Sequence, residues 1–281
     1  MSGSGPALVV VGTPIGNLGD LSPRAVEALA GADVIACEDT RRTRALLTAA
    51  QVTGKRLVAV HEHNEAEQAE AIVALLHDGR RVVLVTDAGM PAISDPGRRV
   101  VDAVATAGHR VEVVPGPSAL VAAVAASGLP ADRFVFDGFL PRKGPVRRAR
   151  LAAIARESRA VVLYEAPHRV AATVDDLRTA CGPDRAVAVA RELTKLHEEV
   201  WRGTLDGAAA HLAAKPPRGE YVLVLEGAPA PAPATDQDIE QALAARLRAG
   251  DDRRSAVTAV AGELEVGRRR VYELAVRLGP A

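Results

Sequence analysis

Apolar residues in the first part of the chain come in short runs, and each run is followed by a segment with helical spacing. The clearest run is residues 81–86, RVVLVT. Similar runs occupy residues 8–11, 33–37, 56–60 and 110–114. Short apolar runs bounded by turns are typical of buried parallel strands. The alternation of strand and helix therefore predicts a mostly parallel sheet with helices on both faces.

The spacing of these segments changes after residue 118, where strand-like segments follow one another with fewer helices between them. These segments are residues 133–139, 160–164, 186–190, 198–204 and 220–225. This pattern predicts a second, mixed sheet. Beyond the APAPAPA segment there is no strand-like segment, and the apolar spacing predicts helices at residues 239–249, 254–263 and 268–278. A Pro-Ala segment of this kind is typical of an extended linker.

The predicted fold class is α/β, with two α/β domains and a small C-terminal helical domain. The expected domains are residues 1–117 and 118–227, a linker at 228–235, and a helix-turn-helix-like domain at 236–281. A chain of 281 residues is long enough for two domains of ordinary size.

Composition narrows the class of protein. The chain has 35 Lys+Arg against 35 Asp+Glu, which excludes a uniformly basic nucleic-acid-binding surface but allows local basic patches. Three Phe, three Tyr and one Trp are too few for binding that depends on stacking many bases. Two cysteines give neither a disulfide framework nor a zinc-ligand spacing. No apolar run has the length of a membrane span, so we expect a cytoplasmic protein.

Three loops fall where ligands bind in such sheets, beyond the carboxyl ends of the strands. They are residues 12–19, 86–97 and 115–119, all rich in Gly and Pro. The first lacks both the dinucleotide-binding and the phosphate-loop pattern. Each loop also has a purely structural interpretation: a tight turn, a helix cap formed by Ser94 and Asp95, and an interdomain hinge.

Nine segments carry a resemblance to a known family. In chain order they are LVVVGTPIGNLGDLSPRA, ACEDTRRT, HEHN, TDAGMPAISDPG, VVPGPSA, GFLPRKG, YEAPHR, RELTKLHEEVWRGTL and GEYVLVLEG. Together they resemble the small-subunit ribosomal RNA cytidine-2′-O-methyltransferases, within the tetrapyrrole-methylase superfamily of class III methyltransferases. The resemblance is close over residues 8–227 and looser in the helical tail. It implies a methyl donor, S-adenosylmethionine, held between two α/β domains, and a homodimer.

The resemblance also implies which residues hold the donor. They are Pro14, Asp87, Gly89, Met90, Ile93, Ser118, Ala119 and Tyr164. Met90 is a departure, because the family loop normally has Thr at this position. A hydrogen bond from that hydroxyl would be absent here, whereas a backbone contact would survive. No metal is expected, since the His61-Glu62-His63 sequence has no third ligand at a diagnostic spacing.

The reaction that the resemblance implies is methyl transfer to the ribose 2′-hydroxyl of a cytidine in the decoding region of 16S ribosomal RNA. Alignment of the reacting atoms supplies much of this catalysis, and a base would add to it. We expect the catalytic residues among Glu38, Glu165 and Lys195. Further candidates by residue type are Asp39, His168 and Glu192. Ion pairing at a helix start or a solvated loop charge explains several of them equally well, and a mechanism without a protein base also fits.

Local basic clusters are the candidates for RNA contact, because arginine pairs well with phosphate. The predicted RNA-binding residues are Arg41, Arg42, Arg142, Lys143, Arg147 and Arg148. Arg268, Arg269 and Arg270 form a further cluster in the tail. The alternative for each cluster is a solvated helix face with acidic partners.

Two other functions fit parts of the pattern. One is C-methylation of a precorrin-type tetrapyrrole, with the same fold and donor. The other is a ligand-responsive regulator that binds DNA through the helical tail and turns nothing over. Separated basic clusters argue against the first, and two full α/β domains argue against the second. The sequence leaves open whether free 16S ribosomal RNA or the assembled small subunit is the substrate.

Overall fold

The structure is a computed structural model that describes residues 5–229 and 234–278. The chain forms two compact units, Met1–Ala228 and Pro229–Ala281. The first contains two five-stranded sheets, and the second contains helices. The predicted linker at 228–235 falls partly on residues 230–233, which lie outside the described residues.

The first sheet is parallel throughout, as the alternating pattern predicts. Its strands are β1 (Ala7–Val11), β2 (Val34–Cys37), β3 (Arg56–Ala59), β4 (Arg81–Leu84) and β5 (Val111–Val114). They lie in the order β3-β2-β4-β1-β5. Neighbours β4, β1 and β5 therefore bring the three Gly/Pro-rich loops to one edge of the sheet.

Helices cover both faces of this sheet. They are α1 (Pro23–Gly31), α2 (Thr40–Ala49), α3 (Glu65–His77) and α4 (Arg98–Thr106). Along β1, Leu8 and Val10 join the core beneath α3 and α4, whereas Val9 and Val11 join the core beneath α1. Burial on both faces explains why the strands are continuous apolar runs instead of alternating ones.

The second sheet is mixed, again as predicted. Its strands are β6 (Phe134–Phe139), β7 (Ala160–Glu165), β8 (Ala186–Arg191), β9 (Glu199–Thr204) and β10 (Tyr221–Leu225). The order is β6-β7-β10-β8-β9, with β6 parallel to β7 and the other pairs antiparallel. The helices are α5 (Ala119–Ser127), α6 (Gly144–Arg156), α7 (Val170–Cys181) and α8 (Leu205–Ala214). The loop after β5 leads directly into α5, which packs on this second sheet.

Asn64 and Glu67 have the sequence spacing of a capping box, but they do not form one. Asn64 does precede α3, but its side chain makes no capping hydrogen bond to that helix. Its Oδ1 accepts from the N–H of His61 at 2.8 Å, and its amide donates to the carbonyl of Ala59 at 3.0 Å. Asn64 therefore closes the turn after β3.

The second unit has three helices, α9 (Asp236–Arg248), α10 (Arg253–Glu263) and α11 (Arg268–Arg277). They enclose a small core of Ile239, Leu243, Val257, Val260, Val271 and Leu274. The first helix begins three residues earlier than the sequence predicts, because Thr235 and Asp238 form a capping box. Within residues 5–229 and 234–278, no helix is both long and apolar enough to cross a membrane.

Candidate active site

A cavity of about 420 Å³ opens in the first unit between the loops of the first sheet and the strands of the second. Residues from the loops after β1, β4 and β5 form one side, among them Ile15, Met90 and Ser118. Tyr164 and Val222, from β7 and β10, belong to the opposite side. The volume lies within the usual range for small-molecule sites, roughly 300–1,000 Å³.

The loops around the cavity cross at glycines. A Cβ added to Gly12 would lie 2.7 Å from the backbone of Gly116, and one added to Gly116 would lie 2.8 Å from the backbone of Gly12. Gly89, at φ +86°, is paired with Thr13 through both its N–H and its carbonyl, at 3.1 and 2.9 Å. Because its backbone N–H and carbonyl are already hydrogen-bonded, Gly89 contributes to a ligand site only by leaving space where a side chain would be.

The loop between β4 and α4 is anchored by a buried carboxylate. One oxygen of Glu65 accepts hydrogen bonds from the N–H groups of Gly97 and Arg99, at 2.9 and 2.7 Å. These donors belong to the start of α4, so Glu65 acts as its cap from another helix. The alternative in which Ser94 and Asp95 cap α4 is wrong, since neither makes that bond.

Strained backbone is concentrated beside the cavity. Ala92 and Ser94, in the loop after β4, have φ of 69° and 61°. Glu192 and Thr194, in the loop after β8, have φ of 51° and 67°. Each such residue costs about 1–3 kcal/mol, and conformations of this kind persist where the surroundings enforce them, commonly at ligand sites.

The predicted donor residues divide between two cavities. The main cavity is lined by Gly89, Met90, Ile93, Ser118, Ala119 and Tyr164. Pro14 and Asp87 line a different cavity of about 290 Å³. The thioether sulfur of Met90 lies 2.7 Å from where a Cβ of Gly12 would stand, so Met90 packs against the glycine crossing.

Tyr164 joins the two sides of the cavity. Its hydroxyl oxygen accepts a hydrogen bond from the backbone N–H of Leu120 at 3.1 Å. Its ring meets Phe136 and Phe139 edge-on, with centroids 4.9 and 5.8 Å apart. Burial, above all, raises the pKa of Tyr164, so the phenol stays protonated at neutral pH.

Three carboxylates, Glu38, Asp87 and Asp95, interact with one another near the loop after β4. The Thr86 hydroxyl donates to Glu38 at 2.8 Å. Burial first, and the charges of Glu38 and Asp87 next, raise the pKa of Asp95 to about 7 against a lowering hydrogen bond from Thr86. Asp95 lines the cavity. This position of Asp95 was not predicted, although an aspartate in the loop after the strongest strand was the available signal.

Asp87 is engaged by the start of α2. Its carboxylate accepts from the N–H of Asp39 at 3.1 Å and lies 3.4 Å from the guanidinium of Arg42. Burial, as the largest effect, raises the pKa of Asp87. Asp39 caps α2 and pairs with Arg41 at 2.8 Å. Two of the predicted RNA-binding arginines thus have carboxylate partners, while their side chains remain largely exposed.

Glu165 lies at the cavity wall with a fully buried side chain. It accepts from the Thr173 hydroxyl at 2.6 Å and from the N–H of Ala166 at 2.9 Å, and Arg169 lies 3.2 Å away. Arg147 extends this network, because it donates to Thr173 at 3.0 Å and pairs with Asp176 at 2.7 Å. Its guanidinium is an internal link and not an exposed phosphate contact. Arg142, Lys143 and Arg148, by contrast, are exposed.

Lys195 also lines the cavity. Its ammonium lies 2.9 Å from Glu192 and 2.6 Å from Glu220. Burial lowers the pKa of Lys195, but these two hydrogen bonds outweigh that effect and raise it above its ordinary value. Its stem packs over Gly16, where an added Cβ would lie 2.3 Å from Lys195 Cγ. Lys195 is therefore a fixed cation and cannot accept a proton at neutral pH.

Across residues 5–229 and 234–278, no group of three or more His, Cys, Asp or Glu side chains is arranged to hold a metal ion. The rings of His61 and His63 lie 6.1 Å apart.

The chain matches a known protein family. The family model described as Tetrapyrrole (Corrin/Porphyrin) Methylases matches residues 7–209, which span most of both sheets. The fold and this match define a methyltransferase, as the sequence analysis predicts. The chain belongs to the tetrapyrrole (corrin/porphyrin) methylase family.

Relatives that match most of the chain carry a more specific name. A protein of Synechocystis sp. named Ribosomal RNA small subunit methyltransferase I is 45% identical over 273 residues, 96% of this chain and 98% of the relative. A Thermotoga maritima protein of the same name is 46% identical over 78% of this chain and 98% of its own. The predicted resemblance is confirmed by these matches.

Solved structures confirm the fold class. The methyltransferase CobJ matches with a TM-score of 0.59 and 22% identity, over 80% of this chain and 95% of its own. Uroporphyrin-III C-methyl transferase of Thermus thermophilus, complexed with S-adenyl homocysteine, matches with a TM-score of 0.56 and 21% identity, over 79% and 97%. At this identity the similarity concerns the fold alone.

Proposed function

We propose that this chain transfers a methyl group from S-adenosylmethionine to the ribose 2′-hydroxyl of a cytidine in 16S ribosomal RNA. The observation that carries the proposal is the 45% identity to the Synechocystis ribosomal RNA methyltransferase over almost the whole of both chains. A match of that extent includes the loops of the cavity as well as the core. The solved methylases match at 21–22% identity, so they give no comparable support for a tetrapyrrole substrate.

The residues of the main cavity fit the methyl donor. When bound, S-adenosylmethionine supplies an electrophilic methyl group on a sulfonium, which is a good leaving group. Small side chains at Ser118 and Ala119 leave room for a flat purine against the start of α5, and Ile93 and Tyr164 supply apolar contact. Gly89 at positive φ keeps that wall free of a side chain. Asp87 and Pro14 would support the donor loop from the adjoining side.

Asp95 is the base that the geometry supports best. A general base works best when its pKa lies near the operating pH, and Asp95 combines that property with a position on the cavity wall. It would accept the proton of the 2′-hydroxyl as the oxygen attacks the methyl carbon. Glu38 would act as a positioning residue, through the Thr86 hydrogen bond and through its charge.

The other two predicted catalytic residues take different roles in this proposal. Glu165, held by Thr173, Arg169 and a backbone N–H, fixes the end of β7 beside Tyr164. Lys195 stays positively charged and suits a ribose or phosphate oxygen of the substrate.

RNA contact is assigned to the exposed members of the predicted basic clusters. These are Arg41, Arg42, Arg142, Lys143 and Arg148. Arg147 is left out because its guanidinium is buried in the network around Thr173. The homodimer remains part of the proposal, as does a cytoplasmic location, where the ribosomal substrate would be found.

The test is methyl transfer from radiolabelled S-adenosylmethionine to three acceptors: small ribosomal subunits lacking the modification, free 16S ribosomal RNA, and a precorrin-type tetrapyrrole. Label on either RNA acceptor supports the proposal, and the ratio of the two identifies the substrate form. Label on the tetrapyrrole alone overturns it in favour of C-methylation. If the folded protein does not bind S-adenosylmethionine at all, the result favours the alternative function, a ligand-responsive DNA-binding regulator.

A further inference from the structure

The helical second unit contains a cavity of about 560 Å³ of its own. It is lined by Arg253, Arg254, Val257, Arg268, Arg269 and Tyr272, all from α10 and α11. Val257 belongs to the small core, whereas Tyr272 is 57% exposed although it borders the same cavity. The site therefore combines an apolar floor, an accessible aromatic ring and four guanidinium groups.

The four arginines occupy positions that do not stabilise their own helices. They are the first two residues of α10 and the first two of α11. Positive charge in the first turn opposes the helix dipole, which favours acidic residues there. The helix α9 of the same unit follows the usual pattern, with Asp236 and Asp238 in its first turn. Helix α10 has no acidic residue in its first turn but is capped by the carboxylate of Asp252, whereas α11 has neither, because its N-cap is Gly267. An anion bound at the start of α11 would compensate the positive charge there.

Two nearby acidic side chains are paired with other residues: Asp236 with Arg270 at 2.6 Å, and Glu263 with Arg246. Asp252 caps α10 through the N–H of Ser255 at 2.9 Å, and its charge also interacts with that of Arg254. Glu273 does pair with Arg269 at 3.0 Å, but both side chains are more than half exposed, where such a pair is weak. Arg268 donates to the Thr258 hydroxyl at 2.6 Å. Arg254, Arg268 and Arg269 are exposed, where pairing with neighbouring groups is weak, so these three guanidinium groups keep positive charge available to a ligand.

We propose that this arginine-rimmed cavity binds the sugar–phosphate backbone of RNA, with one base stacked on Tyr272. Guanidinium groups pair bidentately with phosphate, and base–aromatic stacking tolerates any base. The inference rests on the proposed function for its choice of ligand, because a substrate that is RNA offers both phosphates and bases to one site. It adds a second place of contact, in the helical unit, to the methylation cavity.

The experiment compares two charge-matched double variants of the full-length chain. Arg254→Ala/Arg269→Ala removes two rim charges, and Arg248→Ala/Arg277→Ala removes two exposed charges of the same unit that do not line the cavity. Binding to a fluorescein-labelled single-stranded RNA is measured by anisotropy over a range of salt concentrations, without donor. We expect the rim variant to bind about tenfold more weakly, and the slope of log K against log[salt] to fall by about 1.4, two contacts at ~0.7 each. The control variant should keep the wild-type slope.

The stacking contact is tested separately. Tyr272→Ala should weaken RNA binding by about tenfold without changing the salt slope, whereas Tyr272→Phe should bind like the wild type. Thermal unfolding of each variant identifies any loss of fold. If the double variant is unfolded, the single Arg254→Ala variant replaces it, with an expected slope change of about 0.7.

Several outcomes would overturn the inference. One is equal RNA affinity and equal salt slope for the rim and control variants. Another is competition by polyglutamate as strong as that by RNA, because it would indicate that the cavity binds an acidic protein. Failure of the proposed function has a different signature, namely no methyl transfer to any RNA acceptor by the wild type. Normal methyl transfer with an unchanged KM in the rim variant would sink this inference alone.

Discussion

The hydroxyl of Tyr164 accepts a hydrogen bond at 3.1 Å from the backbone N–H of Leu120. Leu120 is the second residue of α5, where N–H groups have no partner within the helix. Ser118, which precedes the helix, makes no capping hydrogen bond of its own. Tyr164 thus satisfies the helix start from the opposite wall and fixes Ser118 and Ala119 at the edge of the donor cavity.

Replacing Tyr164 by Phe keeps the aromatic wall but removes the acceptor for Leu120. We expect a loss of about 1–2 kcal/mol in the free energy of unfolding and a roughly fivefold weaker binding of S-adenosylmethionine. Chemical denaturation and calorimetric titration measure the two effects. The matched control is Phe136→Tyr, which should leave the Leu120 bond intact. Wild-type donor affinity in Tyr164→Phe would contradict the assigned role.

Glu65 should matter for stability because it caps α4 through two hydrogen bonds. Glu65→Ala leaves both donors without their partner, so we expect a loss of about 2–3 kcal/mol. Glu67→Ala, an exposed site in the same first turn, should stay within about 0.5 kcal/mol of the wild type. Urea unfolding compares them. Equal midpoints for the two variants would show that the capping bonds contribute nothing.

Asp95 gives the reaction a predicted pH dependence. With a pKa of about 7, it is ionised and able to accept a proton above that pH, so the rate of methyl transfer should rise through pH 7 and then level off. Asp95→Asn should lose about 10²-fold or more in kcat and lose this rise. Glu38→Gln removes a neighbouring charge, so the rise should move to lower pH. An Asp95→Asn enzyme with the wild-type pH profile would exclude Asp95 as the base.

The same group gives a stability prediction of fixed sign. The folded-state pKa of about 7 lies above the ordinary value of 3.8, so between these values the folded chain holds a proton that the unfolded chain has lost. Asp95 therefore lowers stability progressively as the pH rises from about 4 to 7, and by a constant amount above that. Asp95→Asn lacks this penalty. Its Tm should equal the wild-type value near pH 4 and exceed it by on the order of 10 °C at pH 8; the opposite trend would contradict the assignment.

Arg147 and Arg148 are adjacent in sequence and should behave in opposite ways. Arg147→Ala breaks the buried links to Thr173 and Asp176, with an expected loss of about 2–3 kcal/mol in stability and unchanged RNA affinity. Arg148→Ala should leave stability within about 0.5 kcal/mol and weaken RNA binding uniformly across sequences. Unfolding and anisotropy measurements on both variants test this. Weaker RNA binding in a stably folded Arg147→Ala protein would return Arg147 to the RNA-binding surface.

Both sheets were predictable from the sequence, because their strands are short apolar runs and such runs can be recognised from neighbouring residues alone. The run at residues 81–86 predicts a buried parallel strand, and β4 is one. The tail helices were predictable for the same reason. The position of the cavity was also predictable, because the loops that follow parallel strands lie together at the carboxyl edge of the sheet.

Roles that depend on contacts across the chain were beyond the sequence. Glu65 caps a helix whose first residue lies 33 positions further along, and no local spacing indicates that bond. Arg147 and Arg148 share one basic segment, and only the packing of α6 against α7 distinguishes the buried one from the exposed one. The pKa of Asp95 likewise depends on burial and on the charge of Glu38, which lies directly after a different strand, β2.

The proposed methyl transfer is tested most directly by locating the methyl group on the RNA. Small ribosomal subunits lacking the modification are incubated with the enzyme and labelled donor, and the RNA is hydrolysed in alkali. A 2′-O-methyl group blocks attack on the adjacent phosphodiester, so we expect label in one alkali-resistant dinucleotide that begins with cytidine. Label released with single nucleotides would place the methyl group on a base and contradict the assignment of the 2′-hydroxyl as acceptor.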